Sequence, residues 1–269
     1  MAYGGDMQQI CDDLEAEHAA LDAVVAPLDA SAWGQSTPAA GWSIGDSISH
    51  LWFFDQRARL ALHPDTVEEF RADAARLTSG LTSGVDPSVE VGRAITPAEL
   101  LANWRADRSR LIALARSVDP SARIPWYGPA MAARSFITAR LMETWAHGQD
   151  IRDALGLAPE ATERLRHVAH IGVRARPFAY ATNSRALPDA DVRVELRSPS
   201  GELWEWGDAS SVDRVTGSAL EFCLVATQRR HVADTSLAVS GPLAAEWMGI
   251  AQAFAGPPGG GRRPGTFRS

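Results

Sequence analysis

The sequence predicts an α+β protein: a four-helix bundle over residues 1–183, including a connecting helix at 160–181, followed by a small α/β domain over 184–269. Two observations carry that reading. Up to about residue 181 the apolar side chains recur at helical spacing within long, capped segments. From Asp191 onward they alternate with polar ones in short runs set off by a Pro199-Ser200-Gly201 turn, which is the period of a strand.

The first helix runs from about Met7 to Leu28, with Ile10, Leu14, Leu21, Val24 and Leu28 on one stripe and acidic residues opposite. The second opens at Ser43 with Asp46 three residues on, a pair able to satisfy the free amides of a first turn. Ile44, Ile48, Leu51, Phe54 and Ala58 form its stripe, and His50 and Phe53 stand at the edge. Thr96-Pro97-Ala98-Glu99 starts the third, with a cap, a proline where no amide is needed and an acidic third position. The fourth spans about Ser135 to Leu155 and stops at Gly156, since glycine tolerates the left-handed conformation that ends many helices. In the second domain, Asp191–Leu196 and Leu203–Gly207 read as a hairpin and Ser236–Val239 as a short strand. Ala219–Ala226 and Pro242–Ala255 read as helices, and the Gly/Pro-rich tail from Gly256 to Gly265 excludes regular structure.

A chain of 269 residues with 45% hydrophobic and 22% charged residues has the composition of a globular protein. Its formal charge of −7 argues against a nucleic-acid partner, whose phosphates require a basic face. No run approaches the roughly 18 apolar residues of a membrane span, and the N-terminal stretch lacks the basic and apolar regions of a secretory signal. The expected partner is therefore a small molecule and the expected location the cytoplasm. Cys11 and Cys223 are too few and too far apart for a disulfide framework and are expected to be buried. The chain contains no lysine, so all 26 basic residues are arginine. This reads as the coding bias of a GC-rich genome and points to an actinobacterium-like source, and it leaves anion recognition to guanidinium groups, backbone amides and histidine.

The chemistry concentrates on the fourth helix. Glu143 and His147 are four residues apart, so a carboxylate oxygen and an imidazole nitrogen face one point from one side of the helix. His50, from the second helix, completes a two-histidine, one-carboxylate set that leaves a coordination position open; it suits Zn²⁺ and is also compatible with Fe²⁺ or Ni²⁺. Asp150 is placed to orient a histidine rather than to bind. Spacing alone leaves a second reading open, in which these residues form the solvated face of an amphipathic helix and His50 is a core histidine. His167 and His170 offer a rival metal pair. A different class of function is a binding module in which Trp204, Trp206, Phe222 and Trp247 hold an apolar ligand.

Gly41-Trp42-Ser43-Ile44 followed by Ser49-His50-Leu51, together with the stretch Arg140 to Ile151, resembles the metal motifs of the DinB-like superfamily, and within it the mycothiol-dependent maleylpyruvate isomerase group. Thr216-Gly217-Ser218 through Gln228-Arg229-Arg230, Val239-Ser240-Gly241 and Ala251 to Phe254 resemble that group's C-terminal domain. The resemblance implies a DinB-like bundle and a sterol-carrier-like second domain. It implies a divalent metal, usually zinc, on His50, Glu143 and His147, and a functional arginine at Arg229 or Arg230. It also implies mycothiol as co-substrate, with isomerisation or thiol transfer on a small electrophile as the reaction. A thiol-independent metalloenzyme is the alternative that keeps the same site.

Overall fold

The computed structural model describes residues 6–80 and 86–267, which form two compact units, 1–158 and 159–269. The first holds six helices among its described residues: α1 (Met7–Val25), α2 (Ile44–Leu62), α3 (Val67–Gly80), α4 (Pro87–Arg93), α5 (Pro97–Ala115) and α6 (Ala133–Ala154), with a two-stranded ribbon β1 (Arg123–Ile124) and β2 (Met131–Ala132) before α6. Helices α1 and α2 each pack against both α5 and α6, which closes the four into a bundle, while α3 and α4 lie against α2. The bundle helices are those expected from sequence; α3, α4 and the ribbon are additions.

The caps do what their chemistry requires. Ser43 Oγ accepts from the Asp46 amide at 3.1 Å and Asp46 returns a carboxylate oxygen to the Ser43 amide at 2.8 Å. Thr96 and Glu99 repeat the exchange on α5. Helix α6 ends at Gly156, where φ is +67°. The Leu157 amide reaches back to the Arg152 carbonyl and the Gly156 amide to Asp153, so the last carbonyls are satisfied by a left-handed turn. Ile44, Ile48, Leu51, Trp104 and Ile151 are fully or almost fully buried where the helices meet.

One level of that interior is polar. Asp55 Oδ1 accepts from Arg140 Nε at 3.1 Å and Nη2 at 2.9 Å, joining α2 to α6, with Asp55 0% exposed. His18 of α1 lies 3.9 Å from the other Asp55 oxygen and edge-on to Trp104 of α5. Neither His18 nitrogen has a hydrogen-bond partner among the described residues. Burial first, and then the nearby Arg108 and Arg140 guanidinium groups, hold its pKa well below the ordinary 6.5. The folded state thus refuses a proton that the unfolded chain accepts. His18 contributes stability above pH 6.5 that is lost as the pH falls below it, with a limiting slope of about 1.4 kcal/mol per pH unit. Urea midpoints between pH 7 and pH 5 should fall more steeply for the native protein than for His18→Leu; equal slopes would remove His18 from the acid response.

The second unit contains α7 (Leu165–Arg174), α8 (Arg176–Thr182), β3 (Arg193–Arg197), β4 (Leu203–Trp206), β5 (Arg214–Ser218), α9 (Ala219–Ala226), β6 (Ala238–Ser240) and α10 (Pro242–Met248). The sheet order is β4-β3-β5-β6, with β3 and β5 parallel and the outer pairs antiparallel. The single helix expected at 160–181 is two, because Pro177 in the first turn of α8 has no amide to continue a helix across Ala175. Both lie in the second compact unit, which begins at Pro159. Helix α7 packs on α9 so closely that a Cβ on Gly172 would lie 2.9 Å from that of Ala226. The helix expected over Pro242–Ala255 stops at Met248, after which Ala251, Gln252 and Ala253 are buried without helical structure. Strand β5 was not expected.

Candidate metal centre

Helix α2 carries His50, and α6 carries Glu143 and His147. Packing of α2 on α6 brings one nitrogen of each imidazole and a Glu143 oxygen all within 4.8 Å of one another. His147 Nε2 stands 3.6 Å from Glu143 Oε2, and the two imidazole centroids are 4.7 Å apart. Metal–ligand bonds of about 2.0–2.2 Å place tetrahedral ligand atoms roughly 3.4 Å apart; the His147–Glu143 separation is already close to that, and the whole set lies within 4.8 Å, so a slight closure of the side chains would let it hold a divalent ion. Among the described residues no fourth His, Cys, Asp or Glu joins the group. His147 is 9% exposed in its side chain and Glu143 23%, so the cluster is sheltered on one side and reachable on the other.

Aromatic rings fix the two imidazoles. The Trp42 indole stacks on His147 with 12° between planes and meets His50 at 4.9 Å between centroids. Phe54 closes the other side of His50 at 4.6 Å. Each histidine also has a polar neighbour at its Nδ1. For His147 this is the fully buried Asp150 carboxylate at 3.8 Å, and for His50 it is Ser88 Oγ at 2.9 Å. Asp150 thus stands beside His147 but beyond hydrogen-bond distance. Ser88, Trp42 and Phe54 were not read as site residues, although Asp86-Pro87-Ser88 is a helix-start pattern that would have put a hydroxyl on a further element.

The other candidate residues lie in the second unit. His167 is buried, His170 Nδ1 accepts from Trp206 Nε1 at 3.2 Å, and the pair gathers no third ligand among the described residues. Trp204, Phe222 and Trp247 are at most 3% exposed and pack the core of this unit, while Trp206, the fourth residue of that set, is half-buried. Arg229 and Arg230 follow the end of α9, and both their amides donate to the Leu224 carbonyl. Arg230, with His231, Arg262 and Gln228, lines a cavity of about 130 Å³; Arg229 does not. Cys11 and Cys223 are buried and free, and burial pushes the Cys11 thiol up to about 11, so neither is a ready nucleophile. No described helix is long and apolar enough to cross a membrane.

The family model for the mycothiol maleylpyruvate isomerase N-terminal domain matches residues 14–152, nearly the whole first unit. Two uncharacterized proteins of Mycobacterium tuberculosis, from strains CDC 1551 and H37Rv, are each 46% identical over 251 residues, covering 93% of this chain and 96% of theirs. Crystal structures of the mycothiol-dependent maleylpyruvate isomerase and of its histidine-to-alanine mutant superpose with TM-scores of 0.53 and 0.54 at 15% identity, over 84% of this chain and 90% of theirs. That likeness is one of fold, and it spans the helical unit and the sheet-bearing unit alike. By its sequence match across the bundle, the chain belongs to the mycothiol maleylpyruvate isomerase N-terminal domain family.

Proposed function

We propose that the protein is an enzyme dependent on a divalent metal, held by His50, Glu143 and His147, that activates mycothiol for isomerisation or thiol transfer on a small electrophile. The observation that carries this reading is the convergence of two imidazoles and one carboxylate with no fourth protein ligand among the described residues. Zinc suits the donor set best, with iron and nickel accommodated by the same atoms. A divalent ion held by these three residues would lower the pKa of a thiol, ordinarily near 8.5, and so favour its thiolate form at neutral pH. His50 and His147 serve as neutral donors, and Glu143 supplies the one negative charge of the set. Trp42 and Phe54 hold both rings and exclude water from their faces. Arg230 is the candidate for recognising a carboxylate on the electrophile, since the cavity it lines has two arginines and a histidine on its wall and no acidic residue. The reading of the second unit as a binding module for an apolar ligand loses support from the burial of Trp204, Phe222 and Trp247.

The test is direct. Cobalt-substituted protein titrated with mycothiol, or a truncated thiol analogue, should develop a thiolate-to-cobalt charge-transfer band. Calorimetry in buffers of different ionisation enthalpy should show release of close to one proton per site at pH 7. No band and no proton at saturating thiol would remove isomerase and transferase together and leave a thiol-independent metalloenzyme.

A further inference from the structure

We propose that Asp86 and Ser88 are positioning residues for the metal centre, fixing which nitrogen of His50 is offered to the ion and where it points. The inference rests on the metal reading above for its purpose, though not for its geometry. Ser88 is 1% exposed, and its hydroxyl oxygen lies 2.6 Å from Asp86 Oδ1 and 2.9 Å from His50 Nδ1. A carboxylate only accepts hydrogen bonds, so the single hydroxyl proton of Ser88 is committed to Asp86. The Ser88 oxygen is then left to accept, and the partner facing it must donate. His50 is thereby held as the tautomer with its proton on Nδ1 and its lone pair on Nε2. A histidine with one nitrogen donating to a fixed acceptor and its lone pair on the other is the arrangement that metal sites favour.

The surroundings show that Ser88 is held there by more than this one contact. Helix α4 is seven residues long and is fastened to α2 within about a turn of His50 on either side. Ser49 Oγ donates to the Ser88 carbonyl, next in sequence to the histidine it supports. Arg93 Nε and Nη2 grip both oxygens of Asp46 at 2.9 and 3.0 Å. Gly92 faces Ser49 so closely that a Cβ would lie 2.3 Å from its hydroxyl oxygen, and any larger residue would lift α4 from α2. Asp86 also caps α4, its Oδ1 accepting from the Ser88 amide at 2.9 Å, so one carboxylate oxygen sets both the helix start and the hydroxyl direction.

Three variants of the full-length chain test this, with Ser49→Ala as the matched control because it loosens α4 without touching the His50 bond. In metal-free protein, two-bond ¹⁵N–¹H correlation spectra of the imidazoles should show His50 protonated on Nδ1. Ser88→Ala should shift that population toward Nε2–H, whereas Ser88→Thr and Ser49→Ala should keep it. Zn²⁺ affinity, read by competition with a chromophoric chelator, should fall about 10–100-fold in Ser88→Ala, in the range seen when such outer partners are removed. The threonine variant should recover most of that loss. An unchanged tautomer in Ser88→Ala, or an equal loss of affinity in Ser49→Ala, would overturn the proposal. If no variant, nor the parent, binds metal, the metal reading fails while the tautomer experiment still decides the role of Ser88.

Discussion

Replacing His147 by alanine is expected to leave the protein helical and without metal. Protein purified with no added metal should carry about one divalent ion per chain by elemental analysis, and His147→Ala should carry none. His50→Ala should behave alike, because each removes one of three donors and leaves an incomplete set with no substitute within reach among the described residues. The fold should survive. Among the described residues His147 Nδ1 has no hydrogen-bond partner, and α6 is anchored by Ile137, Leu141 and Ile151, all fully buried. The cost should stay within the 0.5–3 kcal/mol of an ordinary substitution, roughly. Glu143→Gln keeps the shape and an oxygen donor but removes the only anion, so its occupancy should fall without vanishing. Full occupancy in both histidine variants, with unchanged circular dichroism, would dissolve the site.

The largest effect on stability is expected at Asp55. Asp55→Ala would strand the Arg140 guanidinium, 4% exposed, in the bundle interior with no carboxylate to face. Breaking one side of a buried pair costs about 3–5 kcal/mol, because the remaining charge keeps its desolvation penalty and loses its partner. At roughly 2–4 °C per kcal/mol for a domain of this size, the melting temperature should drop by about 6–20 °C. The paired change Asp55→Leu with Arg140→Met should recover most of it, since apolar residues of similar volume remove both penalties together. Urea denaturation of the single and double variants checks the pair. A loss below about 1 kcal/mol in Asp55→Ala would mean that water reaches Arg140.

What could be read from the sequence was whatever is local. The caps at Ser43 and Thr96, the stop at Gly156 and the Glu143/His147 spacing each lie within one turn of chain, and each stands in the structure as its chemistry demands. Helix α4 escaped because seven residues hold too few apolar positions to show a period, and Val89 is its one buried branched residue. Strand β5 escaped for a similar reason: only Val215 is large and apolar, yet pairing with both β3 and β6 places it at the centre of the sheet. The polar level of the bundle and the support of His50 were illegible in principle. Asp55 and Arg140 are 85 residues apart, and His50 and Ser88 are 38 apart, so only the packed helices bring them together. Helical periodicity says that α7 and α8 form, not which neighbours they bury against.

The division of the candidate ligands between α2 and α6 has a consequence for the chain before it folds. His50 and His147 stand nearly a hundred residues apart, so an ion shared by them is a removable cross-link across most of the bundle. Closing a loop of that length withdraws about 4.7 kcal/mol of entropy from the unfolded ensemble in the chain-entropy account of covalent cross-links. A coordinated ion lets go when the bundle opens, so it would act instead by binding the folded state, adding about 2.7 kcal/mol at a hundred times its Kd and nothing under chelation. Metal supply would then set not only whether the centre can work but also how often the bundle opens, and so how long each molecule lasts against proteolysis.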